Sequence, residues 1–101
     1  MNRKRREPSK NVTQVLFTVQ NATNEAPLKG AKIAIQEMKS KGETGINGQL
    51  LMKSGKYKYI TVTVSLNGME NQEIIIKDIM RGSTVAYTVK MRVEEMIPVL
   101  N

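Results

Sequence analysis

Apolar and polar residues alternate along several short segments of this chain, and none of these segments has the spacing of a helix. Such alternation is typical of a β-strand that buries one face. Turn-forming residues, mainly Gly, Asn and Pro, separate the segments. The alternating segments are 12–20, 31–38, 49–53, 57–66, 72–77 and 84–93. Short strands at this spacing predict an all-β fold, a single Greek-key β-sandwich of six or seven strands with extended N- and C-terminal arms.

The alternation also predicts which side chains form the core. In the first segment Val15, Phe17 and Val19 share one face. In their own segments Leu51 and Ile75 fall on the face opposite to the core residues, so we expect them to point outward. The predicted core comprises Val15, Phe17, Val19, Ile33, Ile35, Leu50, Val62, Val64, Ile74, Ile76, Val85, Tyr87 and Val89.

Two Asn-Gly pairs predict tight turns. Asn-Gly accepts the positive φ angles of the two-residue turns that join antiparallel strands. Asn47-Gly48 is therefore the strongest hairpin signal in the chain. Asn67-Gly68 predicts a second hairpin, which leads into the segment 72–77.

Tyr57 and Tyr59 begin a segment whose alternation conflicts with itself. They lie on one face of an extended strand, while Ile60 and the aliphatic residues after it lie on the other. A β-bulge near Ile60 would turn both sets toward the core, because one extra residue reverses the alternation. We therefore expect the tyrosines to be mainly core residues.

Three stretches of the chain resemble the carboxypeptidase-regulatory-like domains of the transthyretin-like (prealbumin-like) β-sandwich group. These stretches are Pro27-Leu28-Lys29-Gly30-Ala31-Lys32-Ile33, Thr44-Gly45-Ile46-Asn47-Gly48 and Gly55-Lys56-Tyr57, and the segment from Gly68 to Ile76 is similar to a later part of the same pattern. The resemblance covers roughly residues 15–93 and implies a transthyretin-like or immunoglobulin-like sandwich. It implies little about function, because a sandwich of this kind carries many tasks.

The charge of the chain is concentrated at its N-terminus. The whole chain has 101 residues, a length that suits one domain, and 16 of them are basic and 9 acidic. Five of the basic residues and one acidic residue fall within the first ten positions. We therefore divide the chain into a basic N-terminal arm (1–11), a β-sandwich domain (12–93) and a C-terminal tail (94–101).

The composition argues against an enzyme. The chain has no cysteine and no histidine, and Asp78 is its only aspartate. The usual nucleophilic thiol, general base and transition-metal ligands are therefore missing. No cysteine-ligated zinc or disulfide framework can form. We predict no catalytic residue, no metal, no cofactor and no small-molecule substrate.

Both ends of the chain are predicted to bind a partner. Arginine and lysine pair with carboxylates, so the arm suits an acidic protein surface within an oligomeric assembly. Nucleic acid is the less favoured partner, because the aromatic residues that would stack on bases are assigned to the core. The apolar tail either covers an edge of its own domain or inserts into a neighbour. The predicted partner-binding residues are Arg3, Lys4, Arg5, Arg6, Lys10, Met96, Ile97, Val99 and Leu100.

The setting predicted from these features is a virion. The chain shows neither the apolar run of a signal peptide nor a segment long enough for a membrane helix. We therefore expect synthesis in a host cytoplasm and a role as an auxiliary or decoration protein of a phage particle. The alternative is a carbohydrate- or protein-binding domain of a bacterial surface protein, if a signal sequence precedes it. A nucleic-acid-binding protein that uses the arm is the third reading.

Overall fold

The computed structural model describes residues 12–94, and these residues form seven β-strands. The strands are β1 (Gln14–Asn21), β2 (Lys32–Ile35), β3 (Ser40–Glu43), β4 (Gln49–Lys53), β5 (Ile60–Ser65), β6 (Gln72–Ile76) and β7 (Thr84–Met91). The predicted all-β sandwich of six or seven strands is confirmed. No helix among the described residues could cross a membrane.

The strands form two sheets whose order differs from their order in the chain. One sheet has three strands in the order β4-β1-β7, and the other has four in the order β3-β2-β5-β6. β1 lies in the centre of the three-stranded sheet, antiparallel to β4 and parallel to β7. All pairs in the four-stranded sheet are antiparallel. The first and last strands of the sandwich are therefore neighbours.

The core lies between the two sheets and follows the predicted alternation. Val15, Phe17 and Val19 of β1 are completely buried, as are Val62 and Val64 of β5. The predicted core positions are confirmed, although four of them are only partly buried against the core: Leu50, Ile74, Val85 and Tyr87. The outward positions of Leu51 and Ile75 are also confirmed, because each is more than half exposed.

The Asn47-Gly48 turn does not close a hairpin, and this prediction was wrong. The strands on either side of it, β3 and β4, belong to different sheets. Gly48 has a φ of 76° and its carbonyl accepts a hydrogen bond of 2.8 Å from the backbone N–H of Val19. The turn therefore carries the chain across the sandwich and fastens it to β1. The hairpin predicted at Asn67-Gly68 does join β5 and β6.

Tyr57 and Tyr59 are not core residues, and the bulge near Ile60 is not needed. β5 begins only at Ile60, and the two tyrosines precede it in a loop, 41% and 58% exposed. The predicted second strand is also shorter than expected. It ends at Ile35 because the chain turns at residues 36–39, where Lys39 has a φ of 54°.

Candidate interaction surface

Two loops meet at the end of the sandwich where the chain enters β1. The loop 54–59 joins β4 to β5, and the loop 77–83 joins β6 to β7. The backbone N–H of Ile79 donates to the carbonyl of Lys58 at 2.9 Å, which holds the loops side by side. Thr13 lies between them: its carbonyl accepts from the N–H of Ser54 at 2.9 Å, and its hydroxyl accepts from the N–H of Gly82 at 2.8 Å. These bonds fix the loops to the start of β1.

Four basic side chains surround the start of β1, and we call them the basic end. They are Lys53, Lys56, Lys58 and Arg81, and all four residues are exposed. They line two adjoining surface depressions together with uncharged residues such as Thr13, and no carboxylate of residues 12–94 lines either depression. Within residues 12–94 these four side chains form no ion pair; the ion pair between Lys90 and Glu25 lies elsewhere. No carboxylate of the described residues therefore pairs with these four charges.

The basic end accounts for the net charge of the described domain. Residues 12–94 contain eleven basic and seven acidic residues, an excess of four. Apart from the four cations of the basic end, basic and acidic residues are equal in number. The nearest acidic residue in sequence is Asp78, which follows Lys77 in the loop 77–83. The body of the sandwich is thus close to neutral, and its excess charge lies at one end.

Exposed apolar and aromatic side chains accompany these cations. Tyr57 and Tyr59 alternate with Lys56 and Lys58, and Met80, in the facing loop, is 72% exposed. The hydroxyl of Tyr57 donates to the carbonyl of Glu37 at 3.1 Å, which restrains its ring. Flat side chains next to cations provide apolar contact area at low entropic cost, as is common at binding surfaces.

Glu37 anchors the turn against which Tyr57 rests. Its carboxylate accepts a hydrogen bond from the backbone N–H of Thr61 at 2.7 Å and another from the Thr61 hydroxyl at 2.8 Å. The backbone bond is the main reason that the pKa of Glu37 lies below its ordinary value; the hydroxyl adds to this effect and desolvation opposes it. Both bonds stabilise the ionised carboxylate.

Acid is expected to weaken this anchor. Because the pKa of Glu37 is lower in the folded than in the unfolded chain, its contribution to stability is present above the ordinary value and is lost as the pH falls through the folded value. Glu37→Gln should therefore show a smaller loss of stability between neutral and acidic pH than the wild type, measured by urea unfolding at a series of pH values. Glu43 is an exposed residue of β3, and Glu43→Gln is the matched control, whose stability should depend on pH as that of the wild type does. Identical pH dependence of the two variants would contradict the anchor.

The partner-binding residues predicted from the sequence lie outside the described residues. Arg3, Lys4, Arg5, Arg6 and Lys10 precede residue 12, and the tail residues Met96, Ile97, Val99 and Leu100 follow residue 94. The division of the chain into arm, domain and tail likewise stays a prediction. The basic end was missed by the sequence reasoning, although the alternation of Lys and Tyr at 56–59 is a signal that could have revealed it.

Within the described part of the chain, no group of three or more acidic side chains is placed to hold a metal ion. The arrangement of the basic end can bind an anion or an acidic surface by charge-assisted hydrogen bonds. It offers no nucleophile paired with a base.

Comparisons with known proteins support the fold. The chain is similar to part of a type II Cohesin-X-Dockerin complex from Acetivibrio cellulolyticus, with a TM-score of 0.62 and 17% identity over 78% of this chain. It is similar to the pilus 2b backbone protein of group B streptococcus, with a TM-score of 0.57 and 13% identity over 80% of this chain. It spans only 56% and 41% of those two chains.

A third similar structure is the C-terminal domain of the Caf1A usher, with a TM-score of 0.52 and 13% identity; 81% of this chain and 99% of that one are covered. No protein-family model and no curated protein matches the chain. At these identities the comparisons show an immunoglobulin-like β-sandwich. Membership of the carboxypeptidase-regulatory-like group stays a prediction.

Proposed function

We propose that this chain is a non-enzymatic docking module of a larger assembly, and that its basic end binds an acidic protein surface. The observation that carries this proposal is the convergence of Lys53, Lys56, Lys58 and Arg81 around the start of β1, with no carboxylate lining the depressions between them. These cations form no ion pair within residues 12–94, and the hydrogen-bonded backbone that carries them limits the backbone entropy lost on binding, so they favour a partner rich in carboxylates.

The N-terminal arm carries charge of the same sign. Residue 12 lines one of the two depressions, so the chain that precedes it starts from the basic end. The arm contributes Arg3, Lys4, Arg5, Arg6 and Lys10. The guanidinium group of arginine pairs with a carboxylate through two parallel hydrogen bonds, which gives orientation as well as attraction. The arm and the basic end are thus proposed to act as one binding surface.

The similar folds belong to proteins with roles in assemblies. They are a cohesin–dockerin complex, a pilus backbone protein and an usher C-terminal domain whose surface hydrophobic clusters are important for F1 antigen assembly. Together with the absence of histidine and cysteine, this supports an interaction module rather than an enzyme. The similar folds support a bacterial surface assembly as the alternative setting. In a phage virion, the setting predicted from the sequence, the chain would serve as an auxiliary or decoration protein. Capsid and portal genes beside its gene would support the virion.

Nucleic acid is the second candidate partner, because the structure removes the argument against it. Tyr57 and Tyr59 are exposed next to lysines instead of being buried. Exposed aromatic rings between cations can stack on the bases of a single strand while the cations contact phosphates. The observations favour a protein partner. Of these two tyrosines, Tyr57 is held by its bond to the Glu37 carbonyl, so only Tyr59, which forms no side-chain hydrogen bond within residues 12–94, can turn freely to stack on a base.

A charge-reversal experiment tests both candidates. Lys56→Glu/Lys58→Glu in the full chain should weaken binding of a fluorescent polyglutamate probe at least about tenfold, measured by anisotropy at low salt. The matched control Lys32→Glu/Lys41→Glu reverses two exposed charges on the four-stranded sheet and should change binding much less. If the control weakens binding equally, the probe reads net charge alone and the proposal fails.

The same assay with a single-stranded oligothymidine separates the two partners. Tight binding of this probe, weakened by Tyr59→Ala, would mean that the partner is nucleic acid and not protein.

Deletion of Met1–Lys10 should leave the thermal unfolding temperature nearly unchanged and weaken polyglutamate binding, and added salt should also weaken that binding. Wild-type affinity after this deletion would limit the binding surface to the described domain.

A further inference from the structure

The strand β7 forms a long sheet edge with little protection. It has eight residues, Thr84–Met91, with Lys90 as its only charged residue and no proline or glycine. Within residues 12–94 it pairs with β1 alone, so its other edge carries unpaired backbone groups. Edge strands are usually short, charged or interrupted, because an open edge recruits other strands. The edge strand β3 follows that rule: its four residues, Ser-Lys-Gly-Glu, include two charges and a glycine.

Beside the edge of β7, apolar side chains between the two sheets are only partly covered, and we call this stretch of surface the seam. The seam is lined by Ile74 of β6 and by Val85 and Tyr87 of β7, which pack against the core and remain only partly buried. The side-chain amide of Gln72 donates to the Lys90 carbonyl at 2.5 Å and closes the seam at one end only. An extended segment placed along β7 would pair with its free edge and cover these apolar side chains.

The composition of the two chain ends indicates which of them fits the seam. The N-terminal arm is dense in arginine and lysine, and charged side chains are costly to bury against apolar ones. The segment 95–101 reads Glu-Met-Ile-Pro-Val-Leu-Asn, with apolar residues at both alternating sets of positions. Extended, seven residues span about 23 Å, close to the length of β7.

We propose that residues 95–101 of a second copy of this chain add as a strand to the free edge of β7 and fill the seam. This contact uses neither the basic end nor the arm, so it stands or falls separately from the docking function proposed above.

The direction of the chain after β7 favours a second copy over the chain's own tail. Residues 92–94 continue β7 and run antiparallel to 68–70: the N–H of Glu70 donates to the Arg92 carbonyl at 2.9 Å, and the N–H of Glu94 donates to the Gly68 carbonyl at 2.8 Å. The chain therefore leaves Glu94 heading away from the seam, and its own tail would have to reverse direction at once to enter it. Donor tail and acceptor edge are different surfaces, so the contact is heterologous and can repeat along a series of copies.

Pro98 determines which backbone groups of the tail face β7. Successive residues of a strand direct their N–H groups to opposite sides, and proline has none to donate. Pro98 therefore faces away from β7, together with Met96 and Leu100, and Ile97 and Val99 donate to the free edge. This register gives the proposal a specific chemical test.

Complementation between two full-length variants tests the contact. The tail variant Ile97→Lys/Val99→Lys keeps an intact seam, and the seam variant Val85→Lys keeps an intact tail. In analytical ultracentrifugation the wild type should self-associate with rising concentration, each variant alone should remain monomeric, and their equimolar mixture should form a 1:1 dimer. Ala86→Lys, the next residue of β7 on the exposed face, is the matched control and should associate like the wild type. Because the contact is apolar, salt should not dissociate it.

A peptide assay decides the matter if Val85→Lys fails to fold. A synthetic peptide of residues 93–101 should bind the full-length tail variant. N-methylation of Ile97 and Val99 should weaken its binding at least about tenfold, since two backbone hydrogen bonds are lost, while N-methylation of Met96 and Leu100 should leave binding nearly unchanged. A monomeric wild type, a mixture that does not dimerise, or equal effects of the two methylation patterns would overturn the proposal. A monomeric wild type destabilised by Ile97→Lys/Val99→Lys would show that the tail fills its own seam.

Discussion

Replacing Phe17 by alanine is expected to lower the free energy of unfolding by about 3–5 kcal/mol, a large part of the 5–15 kcal/mol typical of a domain. Phe17 is the only phenylalanine of the chain and is completely buried. It lies on the central strand β1, with Leu50 of β4 and Tyr87 of β7 as its register partners. Both partners pack against the core, and the substitution leaves a cavity beside them.

The measurement is urea unfolding of the full chain, followed by circular dichroism. Leu51→Ala is the matched control: it removes a large apolar side chain from β4, next to Leu50, but on the outer face, where the residue is 53% exposed. We expect this control to cost less than about 1 kcal/mol. Equal losses for the two variants would contradict the packing of the three-stranded sheet against the four-stranded one.

Replacing Gly48 by alanine is expected to cost about 2–5 kcal/mol. Gly48 has a φ of 76°, a backbone conformation that costs an L-residue about 1–2 kcal/mol. An added Cβ would also lie 2.7 Å from the Val19 carbonyl oxygen and 3.0 Å from the Cβ of Pro27. Both contacts are with firmly held atoms, so the turn must shift, and overpacking of this kind adds about 1–3 kcal/mol.

Gly30→Ala separates the two contributions. Gly30 has almost the same φ, 80°, but no atom lies within 4 Å of an added Cβ. It should therefore lose only the conformational part, about 1–2 kcal/mol. Urea unfolding of both variants measures the difference. Equal losses would mean that the crossing turn at Gly48 is not packed against β1 as the structure has it.

The alternation of the sequence was sufficient to predict six of the seven strands and the faces they bury, but not β3, which lies outside the alternating segments. The inward residues of β1 and β5 and the outward residues Leu51 and Ile75 follow directly from a period of two. This works because the face of a strand is a local property: each side chain points opposite to its neighbours whatever the strand pairs with. The Asn67-Gly68 hairpin also followed from local turn chemistry, and there the flanking strands β5 and β6 do pair.

The pairing of the strands was decided by the tertiary structure. Asn47-Gly48 favours a hairpin locally, but β4 pairs with β1, about thirty residues earlier, and the turn becomes a crossing between sheets. Such pairing depends on how two apolar faces are best covered together, and no local period records it. The parallel pairing of β1 and β7, the first and last strands in the sequence, is likewise a consequence of the whole fold.

The candidate site divides in the same way. The basic arm and the apolar tail are visible in the sequence as runs of one residue class. The basic end is not, because Lys53 ends β4, Lys56 and Lys58 lie in the loop after it, and Arg81 comes from another loop more than twenty residues later. Hydrogen bonds donated to Thr13, and one from Ile79 to Lys58, bring these loops together; Tyr57 and Tyr59 are exposed beside them. The sequence by itself determined which residues alternate and where charge is concentrated; the packing of distant strands decided which side chains share one surface, because that packing is set by contacts between residues far apart in the chain.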